Sequence, residues 1–127
     1  MYRVEVTHSK DQVFNFQSQN HPAVVIDAKG KEGLTPPDLL LASLGSCVGV
    51  YLRKYSESSG LELDNFKVTA EAEFSPSPYG FKEIHVTVNL KELVLDERRK
   101  KALLEFVKNC PVHNTLKGNP AVLIKIT

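Results

Sequence analysis

Residues 39–52 read LLLASLGSCVGVYL, fourteen positions without a charged side chain. Just before them, Thr35 and Asp38 match a capping box, and Pro36 suits the first position of a helix. Gly60 suits the position after a last helical turn. The pattern therefore predicts one central helix of some two dozen residues, roughly 35 Å long at 1.5 Å per residue.

The predicted central helix is apolar or small on every side, whereas a surface helix needs only one apolar stripe. A single antiparallel sheet covers one side, so a second helix or a second copy of the chain has to cover the rest. Gly45 and Gly49 would let another helix approach closely, or they relieve crowding against the sheet. We expect a homodimer, because symmetric pairs are the commonest oligomers.

Alternation of apolar and polar residues predicts strands on both sides of this helix. Three short strands precede it (RVEVTH, QVFNFQ and HPAVVIDA), followed by the polar loop KGKEGL. After it, FKVTAEAEF (66–74), with all its apolar residues from Phe66 to Phe74 on one face, and KEIHVTVNL (82–90) predict a hairpin around the turn SPSPYG.

A second helix is predicted over DERRKKALLEFVKN (96–109), with Asp96 as its N-cap. Its apolar stripe is Leu103, Phe106, Val107 and Cys110, which places Cys110 near the helix C-terminus, facing the core, where it could meet Cys47. Residues 112–118 are predicted to form one more turn, and AVLIKIT (121–127) a closing strand. This order of elements predicts an α+β fold in one domain over residues 1–127.

Composition excludes several classes of protein. The chain is 42% apolar and 24% charged with a net charge of +1, and its basic residues are scattered, so we expect no nucleic-acid partner. The longest charge-free run is short of the ~20 residues that span a bilayer, so no membrane partner is expected. The start MYRVEVTH does not resemble a signal peptide, so we expect a cytoplasmic location, where a structural disulfide is unusual.

Two motifs in this order resemble the family of osmotically inducible protein C and organic hydroperoxide resistance proteins (OsmC/Ohr). They are PPDLLLASLGSC (36–47) and CPVHNTLKG (110–118). The resemblance implies antiparallel sheets packed on a long buried central helix, in an intertwined homodimer. It also implies that Cys47 attacks an organic hydroperoxide to become a sulfenic acid and that Cys110 condenses with it to a disulfide. A dithiol then reduces the disulfide, and neither a cofactor nor a metal is required.

The family's peroxidases also use an arginine of the N-terminal hairpin and a glutamate shortly before the central helix. Here the corresponding candidates are Arg3, with Lys10 in the hairpin turn, and Asp38, because Pro37 occupies the usual glutamate position. These departures resemble a divergent OsmC-like branch. Asp38 has a second interpretation as the capping acid.

Other interpretations stay open at this point. The protein could bind an apolar small molecule without peroxidase turnover, or its cysteines could be inert core residues. Cys110 and His113, with Cys47, form a weak candidate for a metal site, because a structural zinc site takes four ligands.

Overall fold

The computed structural model describes residues 1–127, which form two compact units, Met1–Leu41 and Ala42–Thr127. The α+β fold class is confirmed, whereas the single domain stays a prediction. The elements in chain order are β1 (Glu5–Lys10), β2 (Val13–Gln17), β3 (Val24–Asp27), α1 (Pro36–Ser59), β4 (Lys67–Glu71), β5 (Phe74–Pro76), β6 (Tyr79–Phe81), β7 (His85–Asn89), α2 (Glu97–Val107) and α3 (Pro111–Gly118). None of the three helices has the length and apolar character needed to cross a membrane.

The first unit is built on the three predicted strands, which form one antiparallel sheet in the order β1–β2–β3. Its one buried charged group is Asp27, at the end of β3, with 3% of its surface exposed. The Asp27 carboxylate accepts backbone N–H bonds from Lys29, Lys31 and Glu32 at 2.9–3.2 Å. One carboxylate therefore holds the polar loop that leads from the sheet to α1.

The central helix begins and ends where the sequence predicts. Thr35 donates from its backbone N and its Oγ1 to Asp38 Oδ2, at 3.1 and 2.7 Å, and Asp38 N donates back to Thr35 Oγ1 at 3.3 Å. This reciprocal pair is a capping box, which satisfies N–H groups that a helix start leaves unpaired. The helix stops before Gly60, whose φ of +74° is a conformation that glycine adopts at little cost.

In the second unit α1 packs one stripe, Leu44, Val48 and Leu52, into the core. The two glycines of α1 lie on the side facing β4 and the residue before it. A Cβ on Gly45 would lie 3.8 Å from Val68, and one on Gly49 would lie 3.6 Å from Phe66. The glycines therefore face the chain's own sheet, but these are ordinary contact distances, so a methyl group at either position would not be crowded there. The helix is not covered all round within one chain, because Leu40 and Val50 are 39% and 51% exposed.

The predicted long hairpin forms, but its connection is more elaborate than a turn. β4 pairs with β7 from Lys67↔Asn89 to Glu71↔His85, and β5 and β6 make a smaller hairpin between them. The prediction that Phe74 faces the core with Phe66 is wrong. Pairing with β7 stops at Glu71, so the alternation does not continue, and Phe74 is 51% exposed and stacks on Phe81 at 4.7 Å.

The C-terminal part of the chain differs from the prediction at two places. α2 is capped by Asp96, which accepts from Arg99 N at 2.8 Å as expected, but it ends at Val107, before Cys110. The second difference is in residues 119–127, where the predicted closing strand does not form. Its apolar side chains are largely exposed, from Val122 at 78% to Ile126 at 97%, because no strand of this chain pairs with the segment.

The bonds to Asp27 predict acid sensitivity. The backbone N–H groups of Glu32 and Lys29, in that order, lower the pKa of Asp27 below its ordinary value of 3.8. Because the pKa of Asp27 is lower in the folded state than in the unfolded state, the carboxylate stabilises the fold above about pH 3.8. This stabilisation is lost as the pH falls through the folded-state pKa.

We therefore expect Asp27→Asn to lower the melting temperature at pH 7, since an amide offers one acceptor oxygen and turns its N–H groups toward donors. The difference in melting temperature between the variant and the wild type should become smaller as the pH falls below 3.8. Asp11→Asn, at an exposed turn, is the control. An Asp27→Asn variant with wild-type melting temperatures at every pH would contradict this role.

Candidate functional site

Cys47 lies on α1, on the face that turns toward the core of the second unit. It shares this face with Tyr51 and Tyr55, at successive four-residue steps, and all three pack partly buried against the core cluster. The predicted core placement of the cysteine is therefore correct in part, because its side chain keeps some exposure to solvent.

Cys110 occupies a different position from the predicted one. It is the N-cap of α3 and not the last turn of α2, because α2 ends at Val107 and Pro111 starts a new helix. A proline has no N–H and suits a first helical turn, which explains why the chain restarts there. Cys110 is fully buried, with 0% exposure, and its Sγ accepts the N–H of His113 at 3.4 Å.

This placement sets the electrostatic surroundings of the Cys110 sulfur. The end of α2 would place unpaired carbonyls near the sulfur, whereas the start of α3 places N–H groups there, which favour negative charge. The N–H of His113 is one of these groups.

Both cysteines are free, and Cys47 packs against the core cluster that contains Cys110. Burial, followed by the neighbouring thiol of Cys47, raises the pKa of Cys110, while the N–H groups of His113 and Val112 act in the opposite direction. The site is therefore a pair of neighbouring cysteines, of which Cys47 is partly exposed and Cys110 is enclosed.

An aromatic cluster lies along α1 beside the cysteines. The ring of Phe106, from α2, lies 6.1 Å from Tyr51 and 5.3 Å from Tyr55, centre to centre. Lys54 turns back along α1, so that its Nζ lies 4.6 Å from the centre of the Tyr51 ring. Arg53 is directed elsewhere, since its guanidinium donates to the carbonyl of Leu63 at 2.7 Å.

The two other predicted site residues have contacts of their own within the first unit. Arg3 pairs with Glu5 at 2.9 Å, and both side chains are largely exposed. Asp38 is bound by Thr35 in the capping box, and the hydroxyl and then the backbone N–H of Thr35 lower the pKa of that carboxyl. The structural role of Asp38 is thus shown, and the catalytic roles of Asp38 and Arg3 stay predictions.

The metal interpretation finds no support in the side-chain arrangement. No group of three or more His, Cys, Asp or Glu side chains is placed to hold a metal ion. His113 Nδ1 lies 3.3 Å from Asn114 Oδ1.

Sequence reasoning missed the residues that surround Cys110 most closely. The backbone N–H groups of Val112 and His113 are functional candidates, and the Cys-Pro step in the sequence is the signal that could have found them, since Pro favours a helix start. Phe106 was placed correctly on the apolar stripe of α2, but its contacts with two tyrosines of α1 depend on how the helices pack.

Comparison with solved structures shows what this architecture is similar to. An OsmC-like protein from Mycoplasma pneumoniae matches with a TM-score of 0.79 at 22% identity, over 93% of this chain and 88% of that one. The organic hydroperoxide resistance protein OhrB of Bacillus subtilis matches with a TM-score of 0.63 at 22% identity, over 94% and 92%. The organic hydroperoxide resistance protein OsmC from Legionella pneumophila matches with 0.65 at 17% identity, over 94% and 90%.

These structural matches establish a shared fold, at sequence identities of 17–22%. Comparison with curated protein sequences gives no match. The sequence model of the family described as OsmC-like protein matches residues 28–125, which include both cysteines and every helix. This chain therefore belongs to the OsmC-like protein family.

Proposed function

We propose that this protein is a thiol peroxidase that reduces organic hydroperoxides through a Cys47–Cys110 redox cycle. The observation that carries the proposal is a pair of free, neighbouring cysteines, one of them partly exposed and the other enclosed. Among the fold relatives, two are named organic hydroperoxide resistance proteins, which is consistent with this chemistry.

In the first step the Cys47 thiolate attacks the outer oxygen of the peroxide. The O–O bond breaks, Cys47 becomes a sulfenic acid, and the departing alkoxide becomes an alcohol by taking up a proton equivalent to the one that the Cys47 thiol released on ionising. Cys47 is the better candidate for this step, because it keeps some exposure and Cys110 has none. Its apolar neighbours, Tyr51 and Tyr55 among them, suit an organic peroxide better than a small polar one.

In the second step Cys110 attacks the sulfenic sulfur. The S–S bond forms, the S–O bond breaks, and hydroxide leaves as water with the proton of the Cys110 thiol. Because Cys47 and Cys110 are neighbours in one core cluster, this step is intramolecular and local. A dithiol then returns both cysteines to the reduced state, which fits a cytoplasmic location, where thiol reductants are abundant.

The contacts of Arg3 and Asp38 favour a second candidate function. Arg3 is paired with Glu5 and Asp38 caps α1, so neither is held free for catalysis within its own unit. An OsmC-like protein that binds an apolar small molecule beside Cys47, without turnover, is therefore the alternative that the following experiments test.

Cys47 and Cys110 should react at different rates with a thiol reagent in the absence of peroxide. At pH 7.5 and limiting N-ethylmaleimide, Cys47 should be modified much faster than Cys110, since burial protects Cys110 and raises its pKa. Peptide mapping by mass spectrometry measures both sites, and the two sites should become equal in urea. Equal modification in the native protein would contradict the asymmetry.

The second prediction tests the peroxidase itself. One equivalent of cumene hydroperoxide should remove two hydrogens from the intact mass, about 2 Da, as the disulfide forms. In Cys110→Ser the reaction should stop at a sulfenic acid that dimedone traps, and Cys47→Ser should consume no peroxide. Unchanged thiols in the wild-type protein, with apolar ligands still bound, would support the binding alternative.

We further propose that the protein is a homodimer in which residues 121–127 lie against a second copy. The segment has the apolar and β-branched composition of a strand, is largely exposed and pairs with no strand of its own chain. Leu40 and Val50 leave a further apolar surface on α1. Covering both in an association of two copies would gain roughly 25 cal/mol per Å² of buried apolar area.

Sedimentation of the full chain tests this assembly. We expect a dimer for the wild type and dissociation for Ile124→Asp with Ile126→Asp, because charge would be buried at the contact. Val94→Asp, at an equally exposed apolar position outside the segment, is the matched control and should stay dimeric. A wild-type monomer at all concentrations would contradict the proposal.

A further inference from the structure

To reduce the disulfide between Cys47 and Cys110, the dithiol has to attack one of the two sulfurs first. We propose, on the basis of the proposed function, that the dithiol attacks the sulfur of Cys47 and that Cys110 leaves as a thiolate received by the backbone N–H groups of Val112 and His113. In this proposal the start of α3 stabilises the leaving thiolate of Cys110.

Access is the first argument for this direction. Attack on a disulfide sulfur needs a nearly straight approach of the incoming thiolate along the S–S bond, and the accessibility of each sulfur governs the choice. Cys110 has 0% exposure and is enclosed in the cluster of Leu103, Val107 and Leu52. Cys47 keeps partial exposure on α1, so it is the more accessible of the two cysteines to an incoming thiolate.

The second argument is the fate of the departing sulfur. When the S–S bond breaks, its electron pair goes to Cys110, whose Sγ already accepts the N–H of His113 at 3.4 Å at the start of an eight-residue helix. N–H groups at a helix start favour negative charge, so they offset part of the burial that disfavours the Cys110 thiolate, and access remains the deciding factor. Departure from Cys47 would place the charge on the middle of α1, where the backbone N–H groups are used within the helix.

The third argument is that the released Cys110 does not attack back. Burial holds the pKa of the reduced Cys110 above its ordinary value, so after departure the thiolate takes up a proton from water. A protonated thiol is a poor nucleophile, which leaves the mixed disulfide between Cys47 and the reductant intact. The second thiol of the reductant then attacks the reductant's own sulfur in the mixed disulfide and releases Cys47 as a thiolate. The reductant is thereby oxidised to a disulfide, and both protein cysteines are reduced.

A monothiol stops the reaction at the mixed disulfide and reveals its position. The wild-type protein is oxidised with diamide, freed of oxidant, mixed briefly with 2-mercaptoethanol at pH 7.5 and quenched in acid. Trypsin separates the two sites, since cleavage after Lys31, Arg53, Lys108 and Lys117 places them in residues 32–53 and 109–117. The mercaptoethanol adduct of Cys110→Ser provides a standard for the first peptide.

We expect the adduct on residues 32–53 to exceed that on residues 109–117 by at least about tenfold at the shortest times, because access decides the site of attack. Equal adducts, or an excess on residues 109–117, would overturn the inference. Diamide makes the disulfide without a peroxide, so this result is independent of peroxidase activity. If diamide forms the disulfide and cumene hydroperoxide does not, the proposed function fails while the direction of reduction is still measured.

Discussion

The packing of Cys47 beside Cys110 is the arrangement on which the proposed chemistry of this protein depends. It exists because α2 stops at Val107 and a new helix starts at Pro111, which leaves Cys110 in the corner between the two. Had α2 continued, Cys110 would lie in the last turn of a helix, among unpaired carbonyl groups. The corner replaces those carbonyls by the N–H groups of α3, one of which Cys110 already accepts.

The rest of the second unit keeps this corner in place. α1 supplies Cys47 and the buried stripe Leu44, Val48 and Leu52, and α2 packs Leu103 and Val107 against that stripe. Phe106 contacts the two tyrosines that follow Cys47 along α1, so aromatic packing holds α2, which leads to Cys110, against the helix that carries Cys47. Gly45 and Gly49 face Val68 and Phe66, on the sheet side of α1.

Much of the fold could be predicted from local sequence, and the failures have physical causes. The bounds of α1, the caps at Thr35 and Asp96 and the pairing of β4 with β7 follow from side chains close by in the sequence. The strand at 121–127 could not be predicted correctly, because a strand depends on a partner that its own sequence does not describe. The position of Cys110 was predicted wrongly because its spacing from Leu103 fits the apolar stripe of α2. In the structure α2 ends earlier, and Pro111 begins a new helix. For the site, the sequence predicted both cysteines and that they could meet. The amide contact of Cys110 is local and follows from the helix start at Pro111, whereas the enclosure of Cys110 comes from tertiary packing.

The rate of disulfide closure tests the central claim most directly, since cysteines that are already neighbours need no opening of the chain to bond. After Cys47 is oxidised in a rapid-mixing experiment, closure measured at increasing urea below the unfolding transition should stay constant and be independent of protein concentration. A closure rate that rises steeply with urea would show that the sulfurs are apart in the native state and meet only by local unfolding. That result would contradict the account.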